Sequence, residues 1–329
     1  MGHIPVMLDH VVEHLAPKSG EVFLDGTFGG GGYSRRILES AECHVIGVDR
    51  DPDAETRSAP LKSDYPDRFS FAAGRFGELD EIARACGHEQ LDGVVVDLGV
   101  SSFQLDEADR GFSFMRDGPL DMRMSQSGPS AADLVNSAPE AVLANIIFQL
   151  GEERDSRRIA RRIVEARQAE AFTTTLQLAE AIEKAVGGRR GKKTHPATKS
   201  FQALRMFVNE ELVELANALE AAERALKPGG RLVVVTFHSL EDRMVKAFMA
   251  ERSGKTEGGS RFMPVVQSEG PAATFEKVRR VTAPDVAEIA ANVRARSSRL
   301  RSAVRTEAPV WDAETDLSVD LPLLSEVCR

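Results

Sequence analysis

The first hundred residues alternate short, β-branched apolar runs with amphipathic stretches, and this alternation constrains the fold more than any other feature of the chain. Val22-Phe23-Leu24, Val45-Ile46-Gly47-Val48, the weaker Phe69-Ser70-Phe71 and Val94-Val95-Val96 read as strands. Helical patterns lie between them at 33–40, 52–57 and 78–85. A strand buried on both faces loses the alternation of apolar and polar positions. Near-continuous apolar runs separated by helices therefore indicate a parallel sheet covered on both sides. The rhythm breaks after Leu98, where a loop carrying Gly111, Gly118, Pro119 and Gly128 leads into helical spacing at 139–150, 155–168, 175–186 and 200–226. Thr173-Thr174-Thr175 supply capping hydroxyls and Gly187-Gly188 a helix stop. After Lys227-Pro228-Gly229-Gly230 the strand signal returns in Leu232-Val233-Val234-Val235-Thr236-Phe237. The expected organisation is an α/β core over 1–105 and 200–305, a mostly helical insertion over 106–199, and an acidic, weakly ordered tail over 306–329. The segment 262–281 has the pattern of a β-hairpin around Gly270-Pro271.

Composition narrows the function classes. No apolar run approaches the ~20 residues that span a bilayer, and Met1 to Val6 lacks the basic and apolar regions of a signal peptide. A cytoplasmic protein without a membrane partner is expected. Cys43, Cys86 and Cys328 are far apart and form no C-x-x-C pair or Cys/His cluster, so neither a disulfide framework nor a metal site is expected. The net charge of −9 argues at first against a nucleic-acid partner, but 154–205 holds 13 Lys/Arg against 5 Asp/Glu. That segment is locally +8, which leaves −17 for the remainder. A basic segment in an acidic protein can contact phosphates while the net charge keeps the whole in solution. A solvated helix face explains the same charges equally well.

The first strand runs directly into Asp25-Gly26-Thr27-Phe28-Gly29-Gly30-Gly31-Gly32 and then a helix. Glycines allow tight turning and close approach of a ligand, and the helix start offers free N–H groups. Asp49 ends the second strand twenty residues after Gly29, the position of the ribose-binding acid in doubly wound folds. The loop does not fit the dinucleotide pattern: counted from Gly29 the sixth residue is Ser34, and counted from Gly26 the third is Phe28. Asp25 at the strand end would also repel a pyrophosphate. S-adenosyl-L-methionine has no phosphate, and its ammonium suits an acid, so it is the expected cofactor, with Asp25 and Gly29 at its methionine end. A nicotinamide-dependent oxidoreductase is the disfavoured alternative.

Asp97-Leu98-Gly99-Val100-Ser101-Ser102 places polar groups at the carboxyl end of the fourth strand. An exocyclic amine of a base is a weak nucleophile because its lone pair is delocalised. Its methylation needs hydrogen-bond acceptors and in-line placement, which Asp97 and Ser101 can supply. A strand-end cap and ordinary loop polarity account for the same two residues. With Gly47-Val48-Asp49-Arg50-Asp51-Pro52, Gly93 to Asp106, Arg110-Gly111-Phe112-Ser113-Phe114, Pro119 to Met124, Thr194-His195-Pro196-Ala197-Thr198, Phe201-Gln202-Ala203-Leu204-Arg205, Val235 to Arg243 and Arg294-Ala295-Arg296-Ser297, the chain resembles the ribosomal RNA small subunit methyltransferase H family, also called the MraW family. His3 to Leu8 and Gly31-Gly32-Tyr33-Ser34-Arg35 match as well.

The resemblance implies a class I methyltransferase with a Rossmann-like sheet and an inserted helical domain that recognises 16S rRNA, which is expected as a partner within the 30S subunit. It implies N4-methylation of a cytidine in the decoding region, and cofactor contacts at Gly31, Gly32, Tyr33, Asp49, Phe76, Asp97 and Gln104. It also draws His238, otherwise a satisfied strand-end histidine, toward a catalytic role. Tyr33 stands where the family often has His, Val293 where it often has Pro, and His10 where it often has Glu. Tyr33 can still offer its backbone N–H. Arg189, Arg190, Lys192, Lys193 and Lys199 are expected to form a phosphate-binding loop and Arg294 and Arg296 a second contact, with Phe103, Phe112 and Phe114 as candidates for stacking on bases. Two rival classes are a DNA amino-methyltransferase, whose proline-containing turn is missing from Asp97-Leu98-Gly99-Val100, and an RNA-binding module without catalysis, which would not need the set of Asp25, Asp49 and glycine loop.

Overall fold

The computed structural model describes residues 5–189, 191, 194–254, 271–276, 281–312 and 321–328. The chain forms two compact units, one of Met1–Gly99 with Val213–Leu317 and one of Val100–Leu212 with Ser318–Arg329.

The first unit is built on a six-stranded sheet: β1 (Val22–Asp25), β2 (His44–Asp49), β3 (Phe69–Ala73), β4 (Leu91–Asp97), β5 (Leu226–Thr236) and β6 (Arg299–Val304). Their order is β3-β2-β1-β4-β5-β6, with the first five parallel and β6 antiparallel to β5. The apolar runs form strands because both faces are covered: Leu91, Val94 and Val95 of β4 and Val233 and Val235 of β5 are completely buried. Each such side chain contributes on the order of 2 kcal/mol by leaving water. β1 lies between β2 and β4, so the strand order reverses there, and ligands of open parallel sheets sit at the carboxyl ends of strands beside such a reversal.

The chain departs from expectation at three places. The pattern over 200–226 is two helices, Thr198–Val208 and Glu211–Ala225, not one. The break falls at Glu210, whose φ is +52°, and it is held by Asn209. The Asn209 amide donates to the carbonyls of Met122 at 2.7 Å and Arg205 at 2.9 Å, and its oxygen accepts from the Met124 amide at 2.8 Å. β5 starts earlier than its valines, at Leu226, and the Pro-Gly-Gly stretch is an excursion in its pairing: register passes from Leu91 opposite Leu226 to Gly93 opposite Arg231. β6 was not expected, because half of Arg-Leu-Arg-Ser-Ala-Val is polar; its Leu300 and Ala303 nonetheless face the core. The proposed hairpin over 262–281 lies largely outside the described residues.

The second unit is helical, with Ala131–Ser137, Glu140–Gln149, Ser156–Arg167, Thr175–Ala185 and Thr198–Val208 among its helices. Buried Leu134, Leu143, Ile146, Ile159, Ile163, Leu178, Ile182 and Leu204 form its core. Thr174 caps its helix as expected, accepting from the Gln177 amide at 3.4 Å. The stretch from Thr306, expected to be weakly ordered, instead makes specific contacts where it is described. Trp311 donates to the Ala272 carbonyl at 2.8 Å and covers the Arg252 guanidinium at 4.3 Å. In the second unit the short helix Leu324–Val327 packs on Ala131–Ser137.

Candidate active site

The loop after β1 crosses the carboxyl ends of three strands and is stapled to each neighbour in turn. The Gly26 amide donates to the Val95 carbonyl of β4 at 2.9 Å, and the Asp97 amide donates to the Thr27 hydroxyl at 2.7 Å. On the other side the Phe28 amide donates to the Val48 carbonyl of β2 at 3.0 Å, and the Gly29 amide to Asp49 Oδ2 at 2.7 Å. Arg57, which sequence reasoning passed over, braces the loop by donating to the Gly29 carbonyl at 2.8 Å.

Two of the glycines have structural reasons that the sequence did not disclose. Gly31 has φ +75°, and a Cβ there would meet the Phe28 ring at 2.6 Å. A Cβ on Gly32 would meet Pro5 at 2.1 Å. Packing by Phe28 and Pro5, rather than ligand approach alone, excludes side chains at these positions.

Asp49 is engaged by backbone at both oxygens, Oδ2 by Gly29 and Oδ1 by the Asp51 amide at 2.9 Å. A carboxylate oxygen has a second lone pair, so both can still accept a hydroxyl. Asp25 is fully buried; Oδ2 accepts from the Ser34 hydroxyl at 2.7 Å and Oδ1 from the Thr27 amide at 3.3 Å. Burial pushes its carboxyl up to about 6, with the Asp49 charge acting in the same direction. Burial likewise raises Asp49.

Asp97 ends β4. Burial, then the neighbouring Asp25 and Glu241 charges, hold its carboxyl well above the usual range. Its Oδ1 is buried and has no hydrogen-bond partner among the described residues. The Tyr33 hydroxyl lies beside the Asp97 carboxyl and donates to the Val6 carbonyl, and burial beside Asp97 and Asp25 keeps the phenol protonated. Glu241, which the sequence reading quoted within Val235 to Arg243 without a role, is 2% exposed and accepts from the amides of Phe237 at 2.9 Å and His238 at 3.1 Å. It fixes the turn that places half-buried His238 at the start of the helix Ser239–Arg252. Phe76 lies against the loop, where a Cβ on Gly26 would meet its Cβ at 3.2 Å. Its turn is held by Glu214, which accepts from Arg75 at 2.8 Å and the Gly77 amide at 3.4 Å.

Asp25, Gly29, Gly31, Gly32, Tyr33, Asp49, Phe76, Asp97 and His238 thus all belong to the first unit. Ser101 and Gln104 belong to the second. There they form a reciprocal cap on the helix Ser102–Asp106: the Gln104 amide donates to Ser101 Oγ at 3.2 Å, and the Ser101 amide to Gln104 Oε1 at 3.1 Å. Phe112 is buried, and Phe114 packs on His195 and Phe201 with ring centroids 4.7 and 4.8 Å apart. Phe112 is held in the interior of the unit and Phe114 is half-buried, whereas Met115 is 83% exposed. Lys199 donates to the Glu152 carbonyl at 2.9 Å, Arg189 lies 3.8 Å from Glu183, and Arg294 and Arg296 are exposed. Arg190, Lys192 and Lys193 lie outside the described residues. No group of metal-ligating side chains is found among the described residues.

Buried acids that repel one another, one with an unpartnered oxygen, are suited to a cationic ligand and unsuited to a pyrophosphate. The profile of the MraW methylase family matches residues 1–306. The chain belongs to the MraW methylase family. It is 57% identical over 327 residues to the ribosomal RNA small subunit methyltransferase H of Hyphomonas neptunium, covering 99% of this chain and 95% of that one. It is 58% identical over 313 residues to the protein of the same name from Caulobacter vibrioides, covering 94% and 98%. A remote likeness to an rRNA methylase structure from Streptococcus thermophilus has 11% identity and a TM-score of 0.40 over 93% of this chain and 99% of that one. This MraW-family protein has the Rossmann-like sheet of class I methyltransferases, and its cofactor is S-adenosyl-L-methionine. The unpartnered Asp97 oxygen and the acids around it fit the positive charges of that cofactor.

Proposed function

We propose that the protein transfers a methyl group from S-adenosyl-L-methionine to N4 of a cytidine in the decoding region of 16S rRNA, within the 30S subunit and in the cytoplasm. The observation that carries this reading is the buried Asp97 carboxyl at the end of β4, with an oxygen left for a ligand N–H or a positive charge. The name shared by relatives at 57% and 58% identity supports rRNA as the substrate. Among the described residues no helix is long and apolar enough to cross a membrane.

When bound, the cofactor supplies an electrophilic methyl group on a cationic sulfur. Asp49 would accept from the ribose hydroxyls, the Phe76 ring would cover the adenine, and the amides of the loop from Gly29 to Tyr33 would receive the methionine end. Asp25 acts from beneath the loop, through Thr27 and Ser34 and through its charge. With the cofactor bound, an N–C bond to N4 would form as the C–S bond breaks, the electron pair would stay on sulfur as a neutral thioether, and the displaced N–H proton would pass to solvent. Asp97, ionised once a positive charge lies beside it, would accept from the amine and orient its lone pair. His238 contacts the base or its phosphate. Ser101 and Gln104, which cap the same helix start, are retained as site residues on the likeness to the family. Transfer is direct, because a base-bound covalent intermediate needs a cysteine nucleophile and none follows β4 in the first unit. The helical insertion over 106–199 recognises the rRNA.

Labelled cofactor, 30S subunits from a strain lacking the enzyme and mapping of the modified nucleotide test this directly. Asp97→Ala should lower kcat by at least ~100-fold, the range expected for loss of a positioned acceptor, with an unchanged circular-dichroism spectrum. Undiminished turnover would remove Asp97 from the chemistry.

A further inference from the structure

The helix Ser156–Arg167 exposes Arg157, Arg158, Arg161 and Arg162, and Arg154 just before it is exposed too. The four helical arginines form two adjacent pairs one turn apart, which places the pairs about 5–6 Å from each other along the axis on a single face. The opposite face, Ser156, Ile159, Ala160 and Ile163, is buried in the core of the second unit. Acidic neighbours hold the face only weakly. Glu140 approaches Arg161 and Glu165 approaches Arg162, each at 3.9 Å and each between exposed side chains. Such pairs contribute little and exchange readily for other anions. Arg154, Arg157 and Arg158 make no ion pair or side-chain hydrogen bond among the described residues. Glu152, Glu153 and Asp155 cluster before the helix, where negative charge complements its dipole, and Glu153 accepts from the Asp155 amide at 3.0 Å. Arg167 is differently employed: it donates to the carbonyls of Val135 at 2.7 Å and Ala138 at 2.8 Å.

We propose that this arginine face is a docking ridge for the phosphate backbone of structured rRNA. The inference rests on the rRNA reading above and goes beyond it by assigning a second, sequence-independent contact. Unneutralised guanidiniums in a chain of net charge −9 mark where a polyanion can approach. A bilayer surface is the poorer fit. Interfacial helices bury an apolar face in lipid, whereas every exposed position of this helix is Arg157, Arg158, Arg161, Arg162 or Glu165.

The test is the variant R157A/R158A/R161A/R162A in the full chain; alanine preserves helix propensity. Methyl incorporation is followed against 30S concentration at several salt concentrations, with cofactor affinity measured by calorimetry. The expected result is a KM for the subunit raised at least ~10-fold, a log(kcat/KM) against log[salt] slope shallower by about 2–4, kcat within about twofold and unchanged cofactor affinity. The four-lysine variant should keep most of the wild-type slope, since charge is what is used. Unchanged KM and slope in an alanine variant that still methylates would overturn the ridge alone. Charge-dependent retention of the wild-type chain on phosphatidylglycerol vesicles, with the subunit KM unchanged by the substitutions, would overturn it in favour of a lipid surface. If the wild-type protein leaves 16S rRNA unmethylated, the rRNA reading falls and the ridge with it.

Discussion

A carboxyl group buried beside two others resists ionisation, and a positive charge placed among them reverses that preference. Asp97 is raised by burial, Asp25 and Glu241, and Asp25 in turn lies near 6 through burial and Asp49. An acid favoured in its neutral form binds a cation only after losing its proton. Affinity for the cationic cofactor should therefore rise as pH rises through about 6, whereas S-adenosylhomocysteine, which lacks the sulfonium charge, should respond less. Calorimetric titration from pH 5 to pH 7.5 checks this. The ratio of the two affinities should change by about tenfold, the effect of a coupling near one pKa unit, and Asp97→Asn should flatten it. A ratio independent of pH would show that the acids do not sense the sulfonium. The positions of Asp25, Asp49 and Asp97 were legible because each directly follows a short apolar run. Glu241 and Glu214 were not, because an acid in a helix reads as surface until the turn it holds is known.

At the scale of elements, the site depends on turns whose anchors lie far away in sequence. The Phe76 turn is held by Glu214, 138 residues later, through Arg75 and the Gly77 amide. Glu214→Ala should weaken cofactor binding about tenfold while leaving kcat within about threefold, as expected where a binding surface loosens and the reacting groups stay placed. An unchanged dissociation constant would show that the turn stands without its anchor. The break between Thr198–Val208 and Glu211–Ala225 obeys the same logic. No glycine or proline marks it; the side chain of Asn209, 1% exposed, ends the helix by bonding Met122, Met124 and Arg205. Asn209→Ala would leave a buried amide and carbonyl unpaired, at a cost of about 2–4 kcal/mol, readable by urea denaturation. A loss below ~0.5 kcal/mol would mean that water replaces the amide. Strand signals carried by continuous valines were readable in β4 and β5. β6 escaped because its pairing with β5, rather than its own pattern, makes Arg299–Val304 a strand.

Across the whole molecule, the acids that suit a cationic ligand work against the folded state. Asp25, Asp49 and Asp97 all have carboxyls raised above their ordinary values. Through Asp25 the native state therefore holds more protons than the unfolded chain between about pH 4 and pH 6, and Asp49 and Asp97 act in the same direction. Stability from these groups is greatest at low pH and falls as pH rises through that window, the reverse of the usual salt-bridged carboxylate. Other groups titrate in the same range, so the comparison must be between variants. Asp25→Asn combined with Asp97→Asn keeps the shapes and removes two of the three titrations. Its melting temperature, measured by scanning calorimetry without cofactor, should exceed that of the wild type at pH 7.5 and approach it at pH 4.5. Saturating S-adenosyl-L-methionine should close the gap from the other side, since only the wild-type acids gain from its charge. A difference in melting temperature that stays constant from pH 4.5 to 7.5 would mean that Asp25 and Asp97 ionise no less readily in the fold than in the open chain, and the electrostatic account of the pocket would have to be abandoned.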